Sequence, residues 1–152
     1  MKMRLIDTIK QPKKVDMSTV GKLTGKISDL CRRYDISLFY IYGSLSNDKM
    51  KTLSDIDIAI MPPTRKYSLE VFLDITNKLQ TIFGREDIDI VELDKASPSL
   101  RMHILTEGKL IYSRSMSDKA NFRFKTISDY LSTNNLRKNF YEYLRRAVSS
   151  SG

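Results

Sequence analysis

Between Tyr42 and Ile60 the chain places a Gly43-Ser44 pair ten residues ahead of Asp55-Ile56-Asp57-Ile58-Ala59-Ile60. An acid-x-acid step opening an apolar, β-branched run predicts a strand. Side chains alternate across a strand, so Asp55 and Asp57 point one way while Ile56 and Ile58 point the other, toward a core. A second strand-like run, Ile36 to Tyr42, delivers the chain to Gly43-Ser44 at its exit. Backbone N–H groups and a hydroxyl at such an exit can face an anion.

Two carboxylates on one strand face repel, and each raises the other's pKa unless a positive charge lies between them. A divalent cation is the natural counter-charge. Oxygen ligands suit magnesium, which keeps some waters and completes its shell with substrate phosphates. A further acid in a comparable setting follows at Asp89, within Asp87 to Leu93. Asp87 and Asp89 share a parity, and Glu92 has the opposite one.

These residues resemble the nucleotidyltransferase superfamily of DNA polymerase β, and more closely its minimal nucleotidyltransferases, the MntA-type antitoxins of HEPN/MNT toxin–antitoxin systems. The resemblance runs from about Ile36 to Tyr112, through Ala96-Ser97-Pro98-Ser99-Leu100-Arg101 and Ile104-Leu105-Thr106-Glu107-Gly108-Lys109-Leu110-Ile111-Tyr112. It selects Asp89 as the third acid. It implies that Asp55, Asp57 and Asp89 are catalytic and hold Mg2+, that Gly43 and Ser44 bind the nucleotide, and that ATP is the substrate. It further implies transfer of AMP to a hydroxyl, a tyrosine of a cognate HEPN-type ribonuclease toxin. One departure stands out: where the family often carries a small-Arg-Gly step, this chain reads Ser46-Asn47-Asp48. An antitoxin that neutralises by binding alone, or a small-molecule nucleotidyltransferase of aminoglycoside type, are the alternatives.

A length of 152 residues fits one domain, with Met1 to Asp16 as a candidate mobile segment and 116–148 as a C-terminal helical extension. The longest apolar runs are strand-sized, and no window approaches the roughly 18 residues of a membrane span. The N-terminus lacks the apolar core of a secretory signal, so a cytoplasmic protein is expected. Cys31 is the only cysteine and His103 the only histidine, which excludes an internal disulfide and a Cys/His zinc site. Cys31 falls among the apolar residues of a helix and reads as a packed thiol, and His103 as a helix residue without a catalytic part. The formal net charge is +8. Its groups, at Lys10 to Lys14, Arg32-Arg33, Lys49 to Lys51 and Arg145-Arg146, are dispersed and lack interleaved aromatics, which speaks against direct nucleic-acid binding. Such a surface could steer a triphosphate or an acidic partner.

Apolar residues at spacings of three and four predict a helix through Val20, Leu23, Ile27, Leu30 and Tyr34, with Ser18 as its cap. They predict another through Leu69, Phe72, Leu73, Thr76, Leu79, Ile82 and Phe83, ended by Gly84. Pro62-Pro63 ends the second strand. Ser97-Pro98 opens a short helix that Gly108 closes, Lys109 to Ser113 is a strand, and two helical segments broken near Thr133-Asn134-Asn135 follow. The fold class expected is α+β: a mixed, twisted sheet of about four strands backed by helices on one face, with the acids at an open cleft.

Overall fold

The computed structural model describes residues 14–46, 55–65 and 67–150. Its elements are α1 (Met17–Arg33), β1 (Leu38–Tyr42), β2 (Ile56–Met61), α2 (Leu69–Phe83), β3 (Ile88–Glu92), α3 (Pro98–Glu107), β4 (Lys109–Ser113) and α4 (Met116–Ser150). The strands form one mixed sheet in the order β3-β2-β1-β4. β1 is antiparallel to β2 and β4, while β2 and β3 are parallel, joined through α2. Four strands and an α+β arrangement are as the sequence leads one to expect.

The two sheet faces follow from strand parity. Phe39 and Ile41 of β1 join Ile56, Ile58 and Ile60 of β2 under α1 and α2, where Val20, Ile27, Leu30, Ile75, Leu79 and Phe83 complete a buried cluster. Residues of the other parity, Leu38, Tyr40, Tyr42 and Ala59, pack with Ile104 of α3 and Phe122 of α4. Helices therefore cover both faces, and the expectation of one backed face is corrected. The reason lies in β1, where all five residues are buried, so both of its faces need a cover.

Helix boundaries obey local chemistry. The α1 cap is Asp16, whose Oδ1 accepts from the Thr19 N–H at 2.7 Å and the Thr19 hydroxyl at 2.8 Å, rather than Ser18. Val15 beside it is buried, so the last residues of the expected mobile segment belong to the fold. Residues 1–13, which hold the rest of that segment, lie outside the described residues. Gly84 ends α2 in the left-handed region at φ 66°, and Ser97 with Pro98 opens α3, both as expected.

Two expectations fail on helix faces. In α2 the buried arc is Ile75, Leu79 and Phe83, while Leu69 and Leu73 are exposed. Both arcs carry apolar residues, and only the one turned toward α1 and the sheet is covered. The last helix is continuous, since Thr133-Asn134-Asn135 lies inside α4; Thr and Asn have moderate helix propensity and, unlike Pro, do not remove a hydrogen bond from the helix. Packing onto the sheet explains only its first half, where Phe122 and Thr126 are buried, and Ser149-Ser150 forms its last turn.

At the end of the sheet away from Gly43, Arg114 bridges from Asp35, at 2.9 Å, to Asp118, at 2.9 and 3.0 Å. This ties the turn after α1 to the first turn of α4. No helix among the described residues is long and apolar enough to cross a membrane.

Candidate active site

Strand register builds the site. Tyr42 of β1 pairs with Asp57 of β2, and Asp57 pairs with Asp89 of β3. The three residues thus form a row across adjacent strands, about 4.8 Å from strand to strand, on the face shared with α3 and α4. Ile56 and Ile58 turn to the opposite face and are wholly buried. A slip of one residue would exchange these sets, so burial of the isoleucines holds the carboxylates in place. Asp55 precedes β2, with the next backbone N–H, that of Ile56, donating to the Asp87 carbonyl at 3.0 Å.

Gly43 leaves β1 with φ 72°, in the left-handed region. A Cβ at this position would stand 3.2 Å from Asp57 Cγ and overlap Oδ2. The Gly43 backbone is thus pressed against the central carboxylate, an approach that only glycine permits. Ser44 follows, half-buried, in the same turn. Ser46 fastens the turn: its hydroxyl lies 2.8 Å from the Gly43 carbonyl and 3.4 Å from that of Glu107, at the end of α3. Gly108, next in the chain, packs close to the Ile41 carbonyl, so α3 and β1 meet here without a side chain between them.

The electrostatics follow from this crowding. Burial, then the charges of Asp89 and Asp55, raise the Asp57 carboxyl above its ordinary pKa. Burial first, then Asp57 and Asp89, push the Tyr42 phenol up to about 12. The site is a concentration of negative charge at the mouth of the sheet. Asp87, of the same parity as Asp89, is engaged elsewhere: Arg85, with a buried side chain, donates from Nε to Asp87 Oδ1 at 2.7 Å and holds that carboxyl below its usual pKa. Glu92 turns away from the site and accepts from Tyr67 and Lys95.

Among the described residues no three acidic, histidine or cysteine side chains already converge as a metal cage. The donor set nevertheless fits magnesium, because that ion uses only one or two protein carboxylates and takes its other oxygens from water and phosphate. Asn47 and Asp48, where this chain departs from the family pattern, lie outside the described residues, as does the Lys49 to Lys51 group.

Two residues of this neighbourhood were not singled out by sequence reasoning. Tyr42 becomes part of the acidic row only through register, although its place directly before Gly43 was a signal. Ser46 was marked only as the first residue of the Ser46-Asn47-Asp48 departure, and not as the residue that braces the turn. Cys31 is buried, with its thiol pushed up to about 12 by that burial, and His103 is exposed on α3. A cavity of about 460 Å3, lined among others by Leu38, Met61, Leu93, Arg101 and Phe122, lies at the opposite end of the strands from the acids.

Comparison with known proteins identifies the family of this fold. Residues 25–117 match the family described as polymerase beta, nucleotidyltransferase. The protein adenylyltransferase MntA of Shewanella oneidensis is 32% identical over 95 residues, which are 62% of this chain and 66% of that relative. A chain of a crystal structure of the toxin–antitoxin with AMP-PNP superposes with a TM-score of 0.64 at 28% identity, covering 80% of this chain and 98% of that one. A chain of the structure of tri-AMPylated Shewanella oneidensis HEPN toxin in complex with MNT antitoxin gives a TM-score of 0.61 at 27% identity, over 82% of this chain and 98% of that one. The matched stretch spans Gly43, Asp55, Asp57 and Asp89, and the chain belongs to the polymerase β nucleotidyltransferase family.

Proposed function

We propose that this protein is an antitoxin that transfers AMP from ATP to a hydroxyl of a partner HEPN-type toxin, most simply a tyrosine. The observation that carries the reading is the in-register pair Asp57 and Asp89, with the Gly43 backbone against Asp57. A relative named a protein adenylyltransferase, and a similar fold solved beside an AMPylated HEPN toxin, support the acceptor class.

Asp55, Asp57 and Asp89 are the residues that would hold magnesium, which supplies charge neutralisation at the triphosphate and at the attacking oxygen. The chain's own groups do the rest. The Gly43 turn presents backbone N–H groups and the Ser44 hydroxyl to the terminal phosphates. Asp89, exposed at the rim of the row, accepts the proton of the incoming hydroxyl. That oxygen bonds to the α-phosphorus, the bond to the bridging oxygen breaks, and pyrophosphate carries away the electron pair. Alignment of acceptor and phosphate by a fixed sheet end is the main catalytic contribution such a frame can make.

The test is the intact mass of the neighbouring gene's product after incubation with this protein, magnesium and ATP, next to an Asp55→Asn/Asp57→Asn control. Addition of one or more AMP units, absent from the control, supports the reading. A stable complex with no added mass replaces it with neutralisation by binding. Neither complex nor added mass redirects attention to small-molecule acceptors.

A further inference from the structure

The distal half of α4 shows an exposed apolar face. The helix packs on the domain through Phe122 and Thr126, and Asp129 on the same face receives Arg101 of α3 at 3.0 Å. At helical spacing that face continues as Leu136, Phe140, Tyr143 and Leu144, which are 71%, 59%, 69% and 41% exposed. The stripe is an extension of a working packing surface beyond the body that it packs on. An isolated helical segment of about 15 residues is marginal in water, and a line of large apolar side chains is not what a solvated face carries.

Charge decides what can cover it. Between Leu136 and Ala147 the flanks hold Arg137, Lys138, Arg145 and Arg146 against Glu142 alone, four cations less one anion, a net of +3. A second copy would set these cations against one another. The stripe is also short, about 15–20 Å long and one helix, about 10 Å, wide, so a matching stripe on a second copy would cover about 200 Å2, well under the roughly 800 Å2 per partner of a standard interface. An apolar groove flanked by carboxylates on a partner protein meets both requirements, because its walls also cover the basic flanks of the helix.

We infer that Leu136–Ala147 is a docking helix, laid into an apolar, acid-rimmed groove of the protein acceptor, holding that acceptor while its hydroxyl visits the Asp57–Asp89 row. This rests on the proposed reading that the acceptor is a protein toxin. The charged flanks would speed encounter and the apolar stripe would slow release.

The test compares the full-length chain with a Leu136→Ser/Phe140→Ser variant and, independently, an Arg145→Glu/Arg146→Glu variant that keeps the stripe. All three are mixed with the neighbouring toxin, and AMP transfer is followed by intact mass while affinity for an ATP analogue is measured separately. The inference expects KM for the toxin to rise about tenfold or more in each variant, with kcat and analogue affinity retained. An unchanged KM in both variants, with the wild-type chain transferring AMP, overturns it and leaves the proposed function standing. No transfer by the wild-type chain overturns the proposed function; a toxin complex that the stripe variant then fails to form still upholds the docking helix, and its persistence or absence removes it. Co-sedimentation with phosphatidylglycerol vesicles, or a wild-type dimer in sedimentation velocity, lost in the stripe variant while KM is unchanged, reassigns the stripe to a membrane or to a second copy.

Discussion

Gly43 and Asp57 share one small volume: the carboxylate of Asp57 lies where any side chain at position 43 would begin. Gly43→Ala therefore meets two costs at once. Alanine at φ 72° costs about 1 kcal/mol in the left-handed region, and its methyl group must displace the central acid. The expected result is a loss of about 1–2 kcal/mol in urea unfolding, with AMP transfer falling at least about 100-fold because the acid that positions the phosphate has moved. Transfer at the wild-type rate would show that the turn tolerates a side chain and that Asp57 need not occupy this place.

Asp57 and Asp89 stand in register, and Asp57 is raised by burial, then by Asp89 and then by Asp55. The sign follows directly. A carboxyl with a folded pKa above its unfolded value binds its proton more tightly in the native state, so stability falls as pH rises from the unfolded value, about 3.9, through the folded one. In EDTA at neutral pH, Asp57→Asn is expected to leave stability equal or higher while abolishing transfer. Magnesium with ATP should raise the melting temperature of the wild-type chain and not that of the variant. A variant destabilised in EDTA would mean that the carboxylate is held by a favourable contact instead.

Cys31 is buried on α1's packed face, and that burial pushes its thiol up to about 12. Native protein should react with a thiol reagent only through opening of α1, and the rate should rise steeply with urea. A fast native reaction would place the thiol at the surface.

What could be read from residues alone is instructive by its exceptions. The α1 stripe and the β2 alternation were legible because one pattern of burial fits each. In α2 two apolar arcs compete, and only the position of α1 shows that Ile75 is inside and Leu73 outside. Thr133-Asn134-Asn135 resembles a break, yet such residues extend a helix when nothing forces a turn. Tyr42 joins the acidic row through pairing with a strand more than ten residues later, a relationship that no local pattern contains.

Arg114 reaches Asp35 and Asp118 together, and hydrogen bonds from Arg114, then from Ser115, hold Asp118 below its ordinary pKa against the effect of burial. A depressed carboxyl contributes stability above the unfolded value, about 4, and loses it as pH falls through the folded one. Because the bridge is largely exposed, its worth is about 1 kcal/mol or less. Arg114→Met should therefore lower neutral stability by up to that amount, a loss that shrinks as pH falls through the folded value. An unchanged neutral stability would show that the bridge does not persist in solution.

Ser46 tests whether the turn before the acids must be rigid as well as correctly shaped. Its hydroxyl, in a buried residue, carries one proton, and the Gly43 carbonyl at 2.8 Å is the better placed of its two acceptors. Ser46→Ala leaves that carbonyl short of a donor, a loss of about 1 kcal/mol for a neutral hydrogen bond. Stability should fall by that amount. If the turn's backbone grips the terminal phosphates, its looser form must be ordered again when ATP binds, so KM for ATP should rise several-fold with kcat less affected. A stability loss with no change in KM would confine Ser46 to holding α3 against β1. A fall in kcat at constant KM would instead mean that the turn acts in the transition state, by way of the Asp57 carboxylate that the Gly43 backbone touches.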